Sequence, residues 1–368
     1  MMMLPVTCVV FFFAQHVTGH TNSKPLPTNN TMPNYRPTIR DVARQAGVSH
    51  QTVSRVINQD AHVAQETRER VENAIHELGY QPSAIAQSMA QGKSSMLATL
   101  APNLVDFTFA SNQEGAEYEA RQAGYFLVTS SAPTEGDFND LLGELIGRRR
   151  VDGIVLFNPF LDHRIKIKPR GIPLVYCVGS ARADMRYSVY LDNRGGAEIG
   201  ARHLLELGHA RIGEITGPLV EDCAQERHIG FINALSAAGL DAAAMPRQEG
   251  DWSATSGYQI FQSWLQNGDL PSAIIAQNDR MAIGVIRAAR DAGLSVPDQL
   301  SVVGFDDMPL ASYFDPPLTT IRQDTFMLGR EAVRLLLQVI ADPALPPQHL
   351  QYPCELVIRE STARFEGR

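Results

Sequence analysis

Residues 38–58 read TIRDVARQAGVSHQTVSRVIN, and this stretch predicts two short helices joined by a tight turn. Thr38 and Asp41 have the spacing of a capping box, in which hydroxyl and carboxylate satisfy each other's backbone donors, so the first helix begins there. The Gly-Val pair ends that helix, and Ser49 can cap a second helix over His50 to Asn58. The stretch therefore predicts a helix-turn-helix.

The predicted second helix has one apolar and one polar face. At about 100° per residue, the apolar side chains fall on one arc, which holds Val53, Val56 and Ile57. The opposite arc holds His50, Gln51, Ser54 and Arg55. Glutamine and arginine on an exposed helix can form bidentate hydrogen bonds to base edges in the major groove of DNA. A merely solvated face has the same pattern, so the spacing alone leaves both interpretations open.

Two more helices are predicted before the next domain. Residues 65–78 carry apolar side chains at helical spacing and close a small all-α core, with Val71, Ala74, Ile75 and Leu78 facing inward. After Pro82, Ser83 can cap a short helix over Ala84 to Ala90. An isolated helix of about two turns is marginal in water without a partner.

From residue 94 onward, short apolar runs alternate with amphipathic helices. Continuous apolar runs are typical of strands covered on both faces, and they lie at Tyr125 to Thr129, Gly153 to Phe157, Leu174 to Val178, Ile212 to Ile215, Ala273 to Ala276 and Ser301 to Phe305. The predicted core is therefore α/β, with parallel sheets built from βαβ units. In such sheets ligands bind beyond the carboxyl ends of the strands, and a cleft between two of them can close around a small molecule.

Composition and charge limit the possible partners. The 368 residues are 44% hydrophobic and carry a net charge of −8, so the whole molecule is not drawn to nucleic acid or anionic lipid. Between Tyr35 and Asp60, however, four arginines stand against two aspartates. The four cysteines form no Cys/His cluster, so we expect neither a zinc site nor a disulfide framework, and no metal or cofactor.

No catalytic residues are predicted. Gly92-Lys93-Ser94 resembles the end of a phosphate-binding loop. The motif needs a glycine five residues earlier, however, where this sequence has Gln87, and the segment follows a predicted helix rather than a strand. The sequence has neither GxSxG nor HExxH. We therefore do not expect an enzyme.

Residues 1–34 are predicted to be a disordered leader or a misassigned start, with translation from Met32. Leu4 to Ala14 has the length of a signal-peptide core, which would mean export, but no Lys or Arg precedes it. We expect a cytoplasmic protein without a membrane partner.

Residues 38–58, together with Gly79-Tyr80-Gln81-Pro82, resemble the headpiece of the lactose/galactose repressor (LacI/GalR) family of transcription regulators. The resemblance implies a DNA-binding headpiece over residues 35–82 and a hinge helix with linker over residues 83–93. It implies that bases are read by His50, Gln51 and Arg55, and that DNA phosphates are held by Thr38, Ser49, Thr52 and Asn58. The hinge would open the minor groove through Ala86 and Met89, where Met replaces the usual leucine wedge. A packing contact with the dimer mate is the alternative for Met89.

Residues 94–368 resemble the effector-binding core of the same family, which is related to periplasmic sugar-binding proteins. The matching pieces include Leu204 to His209, Gly217-Pro218, Ser301 to Asp307 and Pro317 to Gln323. The resemblance implies two doubly wound subdomains, one of about residues 94–191 and 322–345 and one of about residues 192–321 and 346–368.

Four residues match the family's sugar contacts: Arg227, Trp252, Asn278 and Asp306. Arg, Asn and Asp offer directional hydrogen bonds to ring hydroxyls, and an aromatic face covers the apolar side of a pyranose. Plain alternatives exist for three of them: Trp252 could be core, Asp306 a turn residue and Arg227 part of a surface ion pair.

Three positions depart from the lactose-responsive members of the family. Val178 stands where those members have a pocket aspartate, Phe157 replaces an asparagine, and Thr325 replaces a phenylalanine. A site that loses one acceptor and gains bulk need not hold the same ligand. We expect a sugar, with a galactoside one candidate among several.

These features predict a sequence-specific DNA-binding repressor. A homodimer would bind a pseudo-palindromic operator in double-stranded DNA, and a small sugar effector would change how the core subdomains meet. Induction and corepression both occur in the family. Ser361 to Arg368 lack the apolar heptads of a tetramerising coiled coil, so a dimer is the expected limit. The alternative, an exported sugar-binding receptor of a transport system, gives no reason for residues 35–92.

Overall fold

The computed structural model of the protein describes residues 37–81, 94–147, 151–157, 171–182 and 185–367. Two compact units divide between Ala84 and Ile85. The predicted leader and the predicted hinge helix, with Ala86 and Met89, lie outside the described residues.

The first unit is a three-helix core made of α1 (Ile39–Ala46), α2 (His50–Ile57) and α3 (Gln65–Leu78). Val42, Val53 and Val71, one from each helix, are fully buried against one another. Of the apolar residues predicted for α3, Val71 and Ala74 are buried, and Ile75 and Leu78 pack partly buried against them. All three helices agree with the prediction, except that α2 ends one residue before Asn58.

Local sequence sets the ends of these helices. The predicted capping box is present: the Thr38 backbone N–H donates to the Asp41 carboxylate at 2.9 Å. Ser49 Oγ accepts from the N–H of Thr52 at 3.1 Å and caps α2. Gly47 ends α1 at φ 67°, a left-handed conformation that glycine adopts without strain. The turn between α1 and α2 is therefore fixed by its own residues.

The second unit has two lobes, each built around a six-stranded sheet. The sheet of the first lobe has the order β11-β5-β4-β3-β1-β2 and its strands pair in parallel. These strands are β1 (Met96–Ala101), β2 (Phe126–Ser131), β3 (Gly153–Phe157), β4 (Leu174–Val178), β5 (Tyr187–Leu191) and β11 (Gln348–Tyr352). Its helices are α4 (Phe107–Gln122), α5 (Glu135–Gly147) and α10 (Thr325–Ala341).

The sheet of the second lobe has the order β12-β10-β9-β8-β6-β7, and only β12 pairs antiparallel among its described strands. These strands are β6 (Ile212–Thr216), β7 (Arg247–Glu249), β8 (Ala273–Ala276), β9 (Ser301–Asp306), β10 (Thr319–Arg322) and β12 (Glu355–Val357). Its helices are α6 (Asn193–Glu206), α7 (Asp222–Ala237), α8 (Ala254–Gln266) and α9 (Asp279–Asp291), with 3₁₀ turns at Ala242–Ala244 and Pro309–Tyr313. The predicted α/β core of parallel-rich sheets is confirmed.

All six apolar runs predicted as strands are strands. β3, β6, β8 and β9 are buried along their whole length, as helices on both faces of a parallel sheet require. β2 differs because it lies at the sheet edge, where Phe126 is 74% exposed.

One predicted subdomain boundary is wrong. Residues 346–368 were assigned to the second subdomain, yet β11 pairs in parallel with β5 in the sheet of the first lobe. The chain therefore crosses back between β11 and β12, after Tyr352. A half-buried edge strand with alternating exposure carries no local signal for which sheet it joins.

Glycines let two helices of the first lobe touch backbone to backbone. A Cβ on Gly329 of α10 would lie 1.9 Å from the carbonyl oxygen of Asn112, and one on Gly115 of α4 would lie 1.9 Å from that of Phe326. Neither neighbour can yield without moving a helix. This crossing holds α10 on the sheet whose strand ends face the cleft.

We predict that Gly329→Ala lowers the free energy of unfolding of the core by about 1–3 kcal/mol, because the methyl group overpacks the helix crossing. Urea unfolding measures the change. Gly136→Ala in α5 is the control, since its Cβ would meet only Thr134 Oγ1 at 3.7 Å and alanine favours a helix. Equal stabilities of the two variants would contradict the account of the crossing.

Candidate functional site

A cavity of about 500 Å³ lies between the two lobes, within the range of about 300–1,000 Å³ typical of small-ligand pockets. Its walls come from the carboxyl ends of strands in both sheets and the loops that follow them, as the parallel topology requires. From the first lobe they include Asp106, Phe157, Val178 and Gly179, and from the second lobe Asp222, Arg227, Trp252, Asn278 and Asp306. The four predicted sugar-contacting residues are thus brought together, and the three departing positions line the same cavity.

Arg227 is the most connected of the four. It lies on α7, is 5% exposed, and donates from Nε to Asn193 Oδ1 at 2.9 Å and from a terminal nitrogen to the carbonyl of Gln277. Its guanidinium lies 3.8 Å from the ring centroid of Phe305. A surface ion pair, the plain alternative for this residue, is therefore wrong.

Asp306 ends β9 and is buried beside that guanidinium. Its Oδ1 lies 3.8 Å from Arg227 and accepts from Gln323 Nε2 at 2.5 Å. Burial raises the pKa of the Asp306 carboxyl well above its ordinary value, and the charge of Arg227 opposes that shift. The pair places a donor and an acceptor side by side on one wall.

Asn278 and Trp252 are tied to each other. Asn278 caps α9 by accepting the N–H of Met281 at 2.8 Å, and its Nδ2 donates to the carbonyl of Trp252 at 3.0 Å. Trp252 has a φ of 67°, is half-buried, and donates from its indole N–H to Glu221 at 3.1 Å. Its ring occupies the space that a side chain at Gly217 would fill, since a Cβ there would lie 2.0 Å from the ring. Trp252 is thus a cavity wall rather than plain core.

The sequence analysis missed several polar residues of the cavity. Asn193 at the start of α6 is buried and accepts from Arg227. Asp106 of the first lobe accepts a hydrogen bond from Arg280 of the second, so this ion pair crosses the cleft. Each of these residues follows a strand or opens a helix. Neither Asn193 nor Asp106 follows one of the six apolar runs predicted as strands, so the strand-end rule could not have found them from those predictions.

Asp222 is the remaining buried carboxylate of the cavity. Burial raises its pKa to about 7, while the Gly179 N–H and the charge of Arg182 act in the opposite direction. Asp279, behind the site, accepts from Thr320 and from the N–H of Met308, and burial raises its pKa to about 7 as well.

The predicted base-reading residues lie on the exposed face of α2. His50, Gln51 and Arg55 are all exposed, and the Arg55 guanidinium is only loosely paired, 3.9 Å from Asp60.

Of the predicted phosphate contacts, Thr38, Ser49 and Asn58 are exposed and Thr52 is half-buried. Ser49 and Thr52 hydroxyls lie 2.9 Å apart, and Asn58 Nδ2 donates to Ser54 at 3.4 Å. Ser49 and Thr52 lie at the start of α2, Asn58 follows its last residue, and Thr38 precedes α1.

Over the described ranges, no helix is long and apolar enough to cross a membrane. In the same part of the chain, no three His, Cys, Asp or Glu residues are grouped so as to hold a metal ion.

Comparison with known proteins matches both units. Residues 38–83 match the family model of bacterial regulatory proteins of the lacI family, and residues 201–362 match the periplasmic binding protein-like domain. The lactose operon repressor of Escherichia coli K12 is 36% identical over 335 residues, which cover 88% of this chain and 90% of that protein. The transcriptional repressor PurR of Klebsiella pneumoniae is 36% identical over 89% of this chain and 97% of its own.

Solved structures agree with these matches. A lac repressor dimer bound to operator and the anti-inducer ONPF aligns with a TM-score of 0.82 and 34% identity, covering 89% of this chain and all of that chain. The regulator CelR in complex with cellobiose aligns with a TM-score of 0.69 and 31% identity over 89% of this chain. Fold and site thus define a DNA-binding transcription regulator with a periplasmic-binding-protein-like core. The chain belongs to the lacI family of bacterial regulatory proteins, which confirms the resemblance.

We predict that Asp222→Asn gains stability relative to wild type as pH rises from about 4 to 7. Because the pKa of Asp222 is raised from 3.8 to about 7, the folded wild type holds a proton that the unfolded chain has lost. Its stability therefore falls with rising pH by up to about 1.4 kcal/mol per pH unit from this group, and the amide removes that loss.

Urea unfolding at several pH values measures the difference. Glu226→Gln, one turn further along α7 and paired with Arg194 at 2.9 Å, is the matched control. A stability difference between Asp222→Asn and wild type that does not change with pH would contradict the assignment.

Proposed function

We propose that the protein is a homodimeric repressor that binds a pseudo-palindromic operator and is released from it by a small sugar. The observation that carries the proposal is the interlobe cavity, in which Arg227 and Asp306 offer a donor and an acceptor side by side, beside the half-buried face of Trp252. Directional polar groups next to an aromatic face suit a pyranose ring.

Two copies of the first unit would read the two half-sites of the operator. His50, Gln51 and Arg55 would contact base edges in the major groove, and Thr38, Ser49, Thr52 and Asn58 would hold phosphates. The base-reading role is supported by the exposure of His50, Gln51 and Arg55 on the polar face of α2. Phosphate contacts would fix the position of the helix and base contacts the sequence.

We infer the chemical class of the effector from the residues that line the cavity and from the ligands bound in structures of related regulators. CelR was solved with cellobiose, and a lacI-family regulator from Enterococcus faecium with ribose. Phe157 and Val178 make one wall of the cavity apolar. We therefore propose a neutral sugar whose identity differs from that of lactose-responsive members.

The cavity lies between lobes, so a ligand that contacts both changes how they meet. Such a ligand alters operator affinity only by its differential affinity for the two arrangements. The proposal requires no cofactor and no catalytic residue, and a regulator of chromosomal DNA acts in the cytoplasm.

We predict that Arg55→Ala weakens binding to the specific operator by about 1–3 kcal/mol, because one base contact is lost. Fluorescence anisotropy with DNA selected from a random pool by the wild-type protein measures the affinity. Arg70→Ala, an exposed arginine on α3, is the control for a general charge effect. Equal operator affinities of wild type and Arg55→Ala would reject the base-reading assignment.

We predict that Arg227→Ala abolishes the response to the effector and leaves operator binding intact, since the loss removes the donor from the cavity. The measurement is operator release across a series of sugar concentrations. Arg194→Ala, which breaks the pair with Glu226, is the control. A variant that releases operator at the wild-type sugar concentration would show that the pocket assignment is wrong.

A further inference from the structure

Asp222 is a buried carboxylate, and one of its two oxygens has no hydrogen-bond donor among the described residues. It is the first residue of α7 and is 1% exposed. At Oδ1 the carboxylate accepts the N–H of Cys223 at 2.8 Å. Oδ2 accepts no hydrogen bond from the residues that the structure describes. A buried acceptor without a donor is costly, so this oxygen calls for a donor.

The carboxylate stands at the wall of the cavity that β4 leaves without a polar group. Asp222 lines the cavity next to Val178 and Gly179, the end of β4. Val178 offers only methyl groups there. Gly179 makes room for the Asp222 carboxylate, since a Cβ on it would lie 2.5 Å from Asp222 Oδ1. The second lobe thus supplies an acceptor at a wall where the side chain of Val178 offers none.

A donor from the protein stands close to the unsatisfied oxygen but does not reach it. Arg182 Nη1 lies 4.0 Å from Asp222 Oδ2, which is too far for a hydrogen bond. A ligand hydroxyl can supply the hydrogen bond that Oδ2 lacks, because its hydrogen can be donated to the carboxylate. A phosphate or carboxylate group at the same point would meet the charges of Asp222 and Glu221.

We propose that Asp222 is the specificity-determining residue of the cavity and accepts a hydrogen bond from one hydroxyl of a neutral polyhydroxylated ligand at the β4 wall. This inference rests on the proposed function and deepens it. The carboxylate belongs to the second lobe and its neighbours Gly179 and Arg182 to the first, so a ligand held there contacts both. Ligands that lack the hydroxyl, or carry an anionic group in its place, are rejected.

Isothermal titration of the full chain with a panel of aldohexoses, methyl glycosides and disaccharides identifies a sugar that binds, and its monodeoxy derivatives follow. Wild type is expected to bind one monodeoxy derivative at least about 10-fold more weakly than the parent sugar. Asp222→Asn is expected to bind the parent about 10- to 100-fold more weakly than wild type, and to lose most of the discrimination against that derivative. Glu226→Gln, the control on the same helix, keeps both.

A relocated carboxylate provides a stricter test. Asp222→Val should lose the discrimination, and adding Val178→Asp in that background should restore part of it, because the acceptor returns to the same wall from β4. Both Asp222 variants are expected to fold, since burial makes the ionised carboxylate unfavourable.

The outcomes separate the two proposals. If wild type binds none of the sugars, the proposal of a sugar effector is contradicted, and so is the proposed role of Asp222. If wild type binds a sugar and Asp222→Asn keeps its affinity and its discrimination, only the role of Asp222 is overturned. Lower stability of Asp222→Asn with unchanged sugar binding would identify a structural pair with Arg182 and would overturn the inference equally.

Discussion

The buried guanidinium of Arg227 is the interaction on which the cavity depends. A charge in the protein interior persists only when its donors are used and its charge is opposed. Asn193 at the start of α6, the carbonyl of Gln277 after β8 and the carboxylate of Asp306 at the end of β9 provide this environment, and the ring of Phe305 covers one face. Because each partner sits at the end of a different element, the guanidinium fixes how these ends converge. The wall that faces the ligand is therefore set before any ligand arrives.

A second layer of polar groups holds this arrangement from behind. The Gln277 amide donates to the buried Glu214 at 2.8 Å, and its oxygen accepts the N–H of Gly217 at 3.0 Å, where the missing side chain makes room for the tryptophan ring. His228 Nδ1 lies 2.6 Å from Glu214, and Arg247 Nη1 lies 2.7 Å from His228 Nε2. Since a guanidinium only donates, Nε2 accepts and Nδ1 carries the proton that is donated to Glu214. The network links a surface arginine to the backbone that holds the ligand-facing guanidinium.

Sequence reasoning succeeded where the signal was local or was carried by the family resemblance. Capping residues and apolar periodicity predicted three helices and six strands, because these patterns depend on neighbours along the chain. The resemblance predicted Asn278 as a ligand contact, but only the structure shows that the Asn278 side chain also caps α9. β11 could not be assigned to its sheet, and Asn193 and Asp222 could not be assigned to the site, because pairing and convergence between distant segments leave no periodic trace in the residues themselves.

Contacts between the lobes determine how a ligand in the cavity can change the way the lobes meet. The ion pair of Asp106 with Arg280 crosses the cleft, and Asn193 Nδ2 donates to the carbonyl of Gly179 at 3.3 Å. These contacts belong to the protein itself, so the arrangement of the lobes has a stability of its own that a ligand can only raise or lower. A ligand that adds hydrogen bonds on both sides of the cleft favours this arrangement, and one that disturbs the ion pair favours another. The sign of regulation therefore follows from which interlobe contacts the ligand keeps, and not from how tightly it binds.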